Sequence, residues 1–84
     1  MIHELKTLKE FFQLMDSGHK PIELRKNDRD FKIGHELLLR EYDKDSNEYS
    51  GRILHRKITY VLEGPIAEVF GLKEGYCIMG LENI

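Results

Sequence analysis

The 84 residues contain one cysteine, two prolines and no tryptophan. A lone Cys77 cannot close an internal disulfide, on which small secreted domains usually depend, so a reducing, cytoplasmic setting is expected. No apolar run approaches the ~18 residues of a spanning helix, and no membrane partner is expected. Met1-Ile2-His3-Glu4 also lacks the basic-then-apolar order of a signal peptide. Nor does one sign of charge dominate: thirteen Lys and Arg face fifteen Asp and Glu, for a formal charge of −2. That balance excludes a uniformly basic nucleic-acid binder, though not a local basic face. Internal repeats and low-complexity segments are absent. Hydrophobic residues at 40% and charged residues at 33% fit one folded domain spanning residues 1–84.

Along the chain, His3 to Lys6 alternates weakly like a strand. Thr7 is placed to cap a helix, with Glu10 three positions on to complete a capping box. Leu8, Phe11, Phe12 and Met15 fall at the spacing of one buried helical stripe, and Gly18 supplies the residue that ends such a helix. After Pro21, Ile22-Glu23-Leu24-Arg25 alternates with period two, which predicts a strand with Ile22 and Leu24 inward. Asn27 to Asp30 is turn chemistry, with Phe31 and Ile33 as anchors. Glu36 to Tyr42 reads as a strand with Leu37 and Leu39 on one face. Asp43 to Ser50 reads as an exposed loop. Arg52 to Glu63 reads as a long strand with Leu54, Ile58, Tyr60 and Leu62 on a common face. Gly64-Pro65 stops it, and Ile66 to Phe70 fits a short helical turn. The final strand, Tyr76 to Leu81, is apolar at nearly every position and is expected to be covered on both faces. The fold class that follows is α+β: a mainly antiparallel curled sheet or small β-barrel of about five strands, with one main helix near the N-terminus. Phe11, Phe12, Phe31, Tyr60 and Phe70 are assigned to packing.

The near-neutral charge is segregated. His19 to His35 carries five basic residues (Lys20, Arg25, Lys26, Arg29, Lys32) against three acids, and Gly51 to Lys57 adds Arg52, Arg56 and Lys57 with none. Glu36 to Ser50 and Glu63 to Ile84 are each −3. Should the basic segments meet in space, they form a patch suited to phosphate; should they not, they are solvated strand faces. Glu23 and Arg25, two apart on a strand, project to one face. There they form either a simple ion pair or a fixed acceptor and donor for a ligand.

Gly18, Lys20, Glu23 and Arg25 spell Gly-x-Lys-x-x-Glu-x-Arg after the first helix. In this the chain resembles the ASCH domain (activating signal cointegrator homology) of the PUA-like superfamily, in particular a compact bacterial and phage subgroup of uncharacterised proteins. Arg25 to Phe31, Leu39-Arg40-Glu41-Tyr42, Tyr49-Ser50-Gly51-Arg52, Ile58 to Leu62 and Gly71 to Tyr76 extend the resemblance. It implies a barrel-like fold with a helix beside a cleft that binds RNA or a nucleotide. By the same resemblance Lys20, Glu23 and Arg25 line that cleft. Lys26, Arg29, Tyr42, Arg52 and Arg56 are added here from charge and strand geometry.

Two other readings stay open. Some ASCH-like proteins hydrolyse acetylated cytidine, but they carry a threonine where Glu23 stands, so the hydroxyl nucleophile is missing and no catalytic residue is assigned. Alternatively, the acidic Glu36 to Ser50 segment serves protein interaction. His3, His19, His35, His55 and Cys77 lack the short spacings of zinc ligands, and Asp43, Asp45 and Asn47 lack the rest of a calcium loop. No metal or cofactor is expected. Oligomeric state is not encoded in any motif.

Overall fold

A computed structural model describes all residues, 1–84. Strand β1 (Ile2–Leu8) runs directly into helix α1 (Lys9–Asp16); then follow β2 (Ile22–Lys26), β3 (Glu36–Asp43), β4 (Glu48–Leu62), helix α2 (Pro65–Val69) and β5 (Tyr76–Asn83). The five strands form one curled sheet in the order β1-β3-β4-β5-β2. Three pairings are antiparallel, while β1 runs parallel to β3 with Ile2 opposite Glu36 and Leu8 opposite Tyr42. A parallel pair cannot be joined by a tight turn. The connection here passes through α1 and β2. No helix is long and apolar enough to cross a membrane.

The core is a single cluster of Leu5, Met15, Phe31, Leu37, Leu39, Ile58, Cys77, Met79 and Leu81, flanked by Leu54 and Val61. Burial and the nearby carboxylates Glu63, Asp28 and Glu23 push the Cys77 thiol up to about 11, which keeps it an inert packing residue.

Several expectations change once the strands pair. Thr7 does not cap a helix: pairing of β1 with β3 continues to Leu8, so Thr7 remains extended with its side chain buried, and α1 begins without a side-chain cap. Phe12 and Met15 fill the helix's buried stripe, whereas Phe11 stays half-exposed. Gly18 does end the helical segment, at φ +84°. The expected Asp43–Ser50 loop shrinks to a turn over residues 44–47, closed by the Asp45 N–H donating to Asp43 Oδ1 at 2.9 Å. In β4 a register shift between Ile58 and Tyr60 puts Ile58 and then Val61 on the inner side, so Tyr60 and Leu62 turn outward. Ile33 and Phe70 are solvent-exposed rather than anchoring.

The largest correction concerns β2. Glu23 is the buried residue, at 5% exposure, while Ile22 and Leu24 are 44% and 56% exposed. The period-two alternation is real but its phase is inverted. Glu23 lies opposite Met79 and Arg25 opposite Cys77, both on the concave side of the sheet. Ile22 and Leu24 therefore project from the convex side.

β1 is also fixed to the loop before β3. His3, buried, lies with Nε2 at 3.0 Å from His35 Nδ1, and its ring packs edge-on against Phe31 with centroids 4.8 Å apart. Burial, then the neighbouring His35 and Arg29, hold the His3 imidazolium below the ordinary value of 6.5. A group whose folded pKa is depressed takes up its proton more readily when unfolded, so stability rises with pH through the window below 6.5 and falls with acidification. Chemical denaturation across that window should show this slope, and His3→Gln should flatten it. In the core, Phe12→Ala should cost about 3–5 kcal/mol in urea unfolding, against less than about 0.5 kcal/mol for Phe70→Ala.

Candidate functional site

β1 and β2 are the two free edges of the curled sheet, and between them opens a cavity of about 670 Å³. Its concave wall carries Leu5 and Thr7 from β1, Glu23 and Arg25 from β2, and Phe31 from the loop beyond. Lys6, Phe11, Lys20, Lys26, Asp28, Arg29 and Tyr76 form the polar and aromatic rim, with Leu8, Ile22 and Leu24 at its apolar edge. That volume lies within the range typical of small-molecule sites.

Glu23 sits at the centre of the charge. Lys20 Nζ lies 3.5 Å from one carboxylate oxygen, and Arg25 Nε donates to the other at 3.2 Å. Lys20 is delivered by the turn at Gly18, whose positive φ suits glycine, and by the Lys20 N–H donating to Leu14 O at the helix end. Its ammonium also donates to Ile22 O at 3.0 Å and lies 5.2 Å from the Phe11 ring. The four motif residues thus form one unit: glycine turns the chain, and three ionic side chains converge.

The arginines span the gap in the sheet. Arg25 Nη2 donates to Lys6 O, and Arg29 Nη1 donates to Glu4 O at 2.8 Å. Both acceptors are on β1 and two residues apart, so they point to the same edge. Asn27 fixes the turn that aims Arg29: its N–H donates to Gly75 O at 2.8 Å, and its Oδ1 accepts from the Phe31 N–H at 3.0 Å. Lys26 makes no ion pair, and Lys6 lies 4.3 Å from the Tyr42 ring. Thr7 Oγ1 is buried without a hydrogen-bond partner. Buried polar atoms of this kind are few in folded proteins.

Of the residues expected from the sequence, Lys20, Glu23, Arg25, Lys26 and Arg29 line this cavity, and Tyr42, Arg52 and Arg56 do not. The Tyr42 hydroxyl donates to Asn47 Oδ1 at 3.0 Å in the β3–β4 turn. Arg52 pairs with Asp16 at 3.0 Å and with the buried Glu41 at 3.6 Å, and lies over the Phe12 ring. Arg56 donates to His55 O at 2.9 Å and reaches Met15 O at 3.4 Å. Both arginines fasten the C-terminal end of α1 to the sheet, where positive charge is favourable. The two basic segments meet only where Lys20 and Arg56 line a small pocket of about 210 Å³ with Glu82, and Arg52 and Arg56 add nothing to the larger cavity. Thr7, Lys6, Phe11 and Tyr76 were missed by sequence reasoning. Their place on the wall depends on β1 curling round to face β2, a long-range closure with no local signal.

Arg25→Ala should destabilise the fold by about 1–3 kcal/mol in urea unfolding, because it strips one cation from buried Glu23 and one donor from the β1 edge. Arg25→Lys should recover less than half of that loss, since a lysine cannot reproduce the fork that serves both partners.

The sequence matches the family described as Domain of unknown function (DUF3850) over residues 2–81. It is also 36% identical over 62 residues to an "Uncharacterized 12.9 kDa protein in GpA 3'region" of Escherichia phage P2, an alignment covering 74% of this chain. The chain spans 55% of that relative's length.

Proposed function

The chain belongs to the DUF3850 family, and from that premise we propose that it is an ASCH-like, PUA-like module binding RNA or a nucleotide in the cavity between β1 and β2. The observation that carries this reading is the charge of the cavity wall. Five cations (Lys6, Lys20, Arg25, Lys26, Arg29) stand against two carboxylates (Glu23, Asp28), an excess of +3 in a chain whose total is −2. Concentrating positive charge in a concave site favours an anionic ligand. The half-exposed Phe11 and Tyr76 offer flat apolar surface for a base.

The parts divide by how fully they are already engaged. Lys6 and Lys26 alternate with the concave-wall residues and so stand at the rim; Lys26 has no ionic partner and Lys6 only a ring, so these two are the cations free to turn onto phosphate. Glu23 is paired with and oriented by Lys20 and Arg25, and a carboxylate so placed accepts from an exocyclic amine. The orphaned Thr7 hydroxyl on the wall provides a further polar contact. No base lies within hydrogen-bond reach of that hydroxyl, so nothing activates it as a nucleophile, and binding without catalysis is the reading preferred. Splayed single-stranded bases suit a cavity of this kind better than a duplex does.

Titration with a short single-stranded RNA and with nucleoside monophosphates tests the proposal. Affinity should fall as salt is raised. Lys26→Ala and Lys6→Ala should each weaken binding by roughly tenfold, about 1.4 kcal/mol, without changing the unfolding midpoint. Salt-independent binding, or full affinity in the Lys6/Lys26 double variant, would overturn it.

A further inference from the structure

The convex side of the sheet presents a problem that the cavity does not solve. Across β4, β5 and β2, directly opposed residues form two rows, Leu62–Ile78–Leu24 and Tyr60–Gly80–Ile22. Opposed residues share a face. Neither row contains a charge. Beside them α2 adds Ile66, and the turn after it adds Phe70, at 88% exposure; together with Leu72 these line an apolar groove with Tyr60, Leu62 and Ile78.

Nothing in the chain covers this face. Its sequence is nevertheless that of a buried surface: β5 is apolar on both sides, and Ile22 and Leu24 keep a strict alternation. With their fractional exposures, Ile22, Leu24, Tyr60, Ile66 and Phe70 leave on the order of 700 Å² open. The half-buried Leu62, Leu72 and Ile78 bring the face near the ~800 Å² that each partner contributes to a stable interface of ordinary size.

We propose that this convex face, formed by β4, β5, β2 and α2, is a dimer interface whose occupant is a second copy of the same chain. Three observations select a second copy. Neither row carries charge, and the flanking rows add only Lys26 and an opposed Lys57 and Glu82, too little positive charge to hold a polyanion or an anionic membrane. The face carries both a projecting ring, Phe70, and the apolar groove lined by Tyr60, Leu62, Leu72 and Ile78, so one patch holds knob and hollow together. Because both lie within the same patch, a two-fold axis through it closes at two copies rather than propagating. The formal charge of −2 offers little repulsion between copies. Ile22 and Leu24 border both this face and the cavity between β1 and β2, but the proposal uses none of the cavity's charges and so does not rest on that reading.

Sedimentation equilibrium over a concentration series tests it. The wild-type chain should approach twice its 9.9 kDa mass as concentration rises. Leu24→Lys and Phe70→Asp should each weaken the dimer by roughly tenfold or more. Both side chains are exposed in the single chain, so circular dichroism and the unfolding midpoint at low concentration should match the wild type. Added salt should not weaken association. A wild-type monomer at every concentration overturns the proposal, whether a different protein or a lipid then proves to cover the face. A dimer that neither substitution weakens overturns it as well.

Discussion

A carboxylate taken out of water inside an 84-residue domain costs several kcal/mol unless its counterions are taken in with it, and Glu23 is buried with two. The rest of the structure hangs on how those cations are placed. Lys20 comes from the turn that ends α1, and Arg25 from the same strand as Glu23. Arg25 then uses the remaining reach of its guanidinium to donate to Lys6 O on the far edge of the sheet. The ion cluster therefore does two things: it neutralises the buried acid, and it spans the gap that a sixth strand would fill. Arg29 repeats the second role at Glu4 O. A planar fork with several donors suits this double duty; a single ammonium does not.

This arrangement ties the cavity to the fold. Its width is set by the two arginine contacts between β2, the loop after it, and β1. A ligand that drew Arg25 toward itself would have to leave Lys6 O to water, so Arg25 acts first as a wall and only secondarily as a contact. Lys6 and Lys26 carry no contact across the seam, so the proposed anion contacts fall to them rather than to Arg25. The most conspicuous residues of a motif are in this case the ones already spoken for by the architecture.

Much of this was legible in the sequence, and the failures share a cause. Leu37 and Leu39 face inward as their alternation requires, Gly18 ends the helical segment, and Asn27 to Asp30 bend the chain with the Asn27 side chain bonded to the backbone of Phe31, because each depends on neighbours within a few residues. Thr7 was misread because pairing with β3, distant in sequence, prolongs β1 past the capping site. Tyr60 was misplaced because a bulge reverses the side-chain phase, and a bulge leaves no trace in a hydrophobic pattern. The motif residues converge as expected, yet with Glu23 inward and Ile22 and Leu24 outward. Hydrophobic alternation identifies two unlike faces of a strand; it does not say which one the protein's own core will cover.

That ambiguity bears on β2 in particular. A strand with an ionic face and an apolar face ordinarily turns the apolar one to the core. Here the core side already holds Met79 and Cys77 from β5, against which Glu23 and Arg25 are set, so the cavity claims the ionic face. The apolar face is then left without a partner inside the chain. Inverting the strand would bury Ile22 and Leu24, but it would also break the Lys20–Glu23–Arg25 cluster and the contact to Lys6 O, and the sheet would lose its bridge. Keeping the bridge obliges the chain to leave apolar surface open on its convex side. A small domain that holds a charged cavity on one side of a five-residue edge strand thus has reason to find its missing apolar contacts on the other.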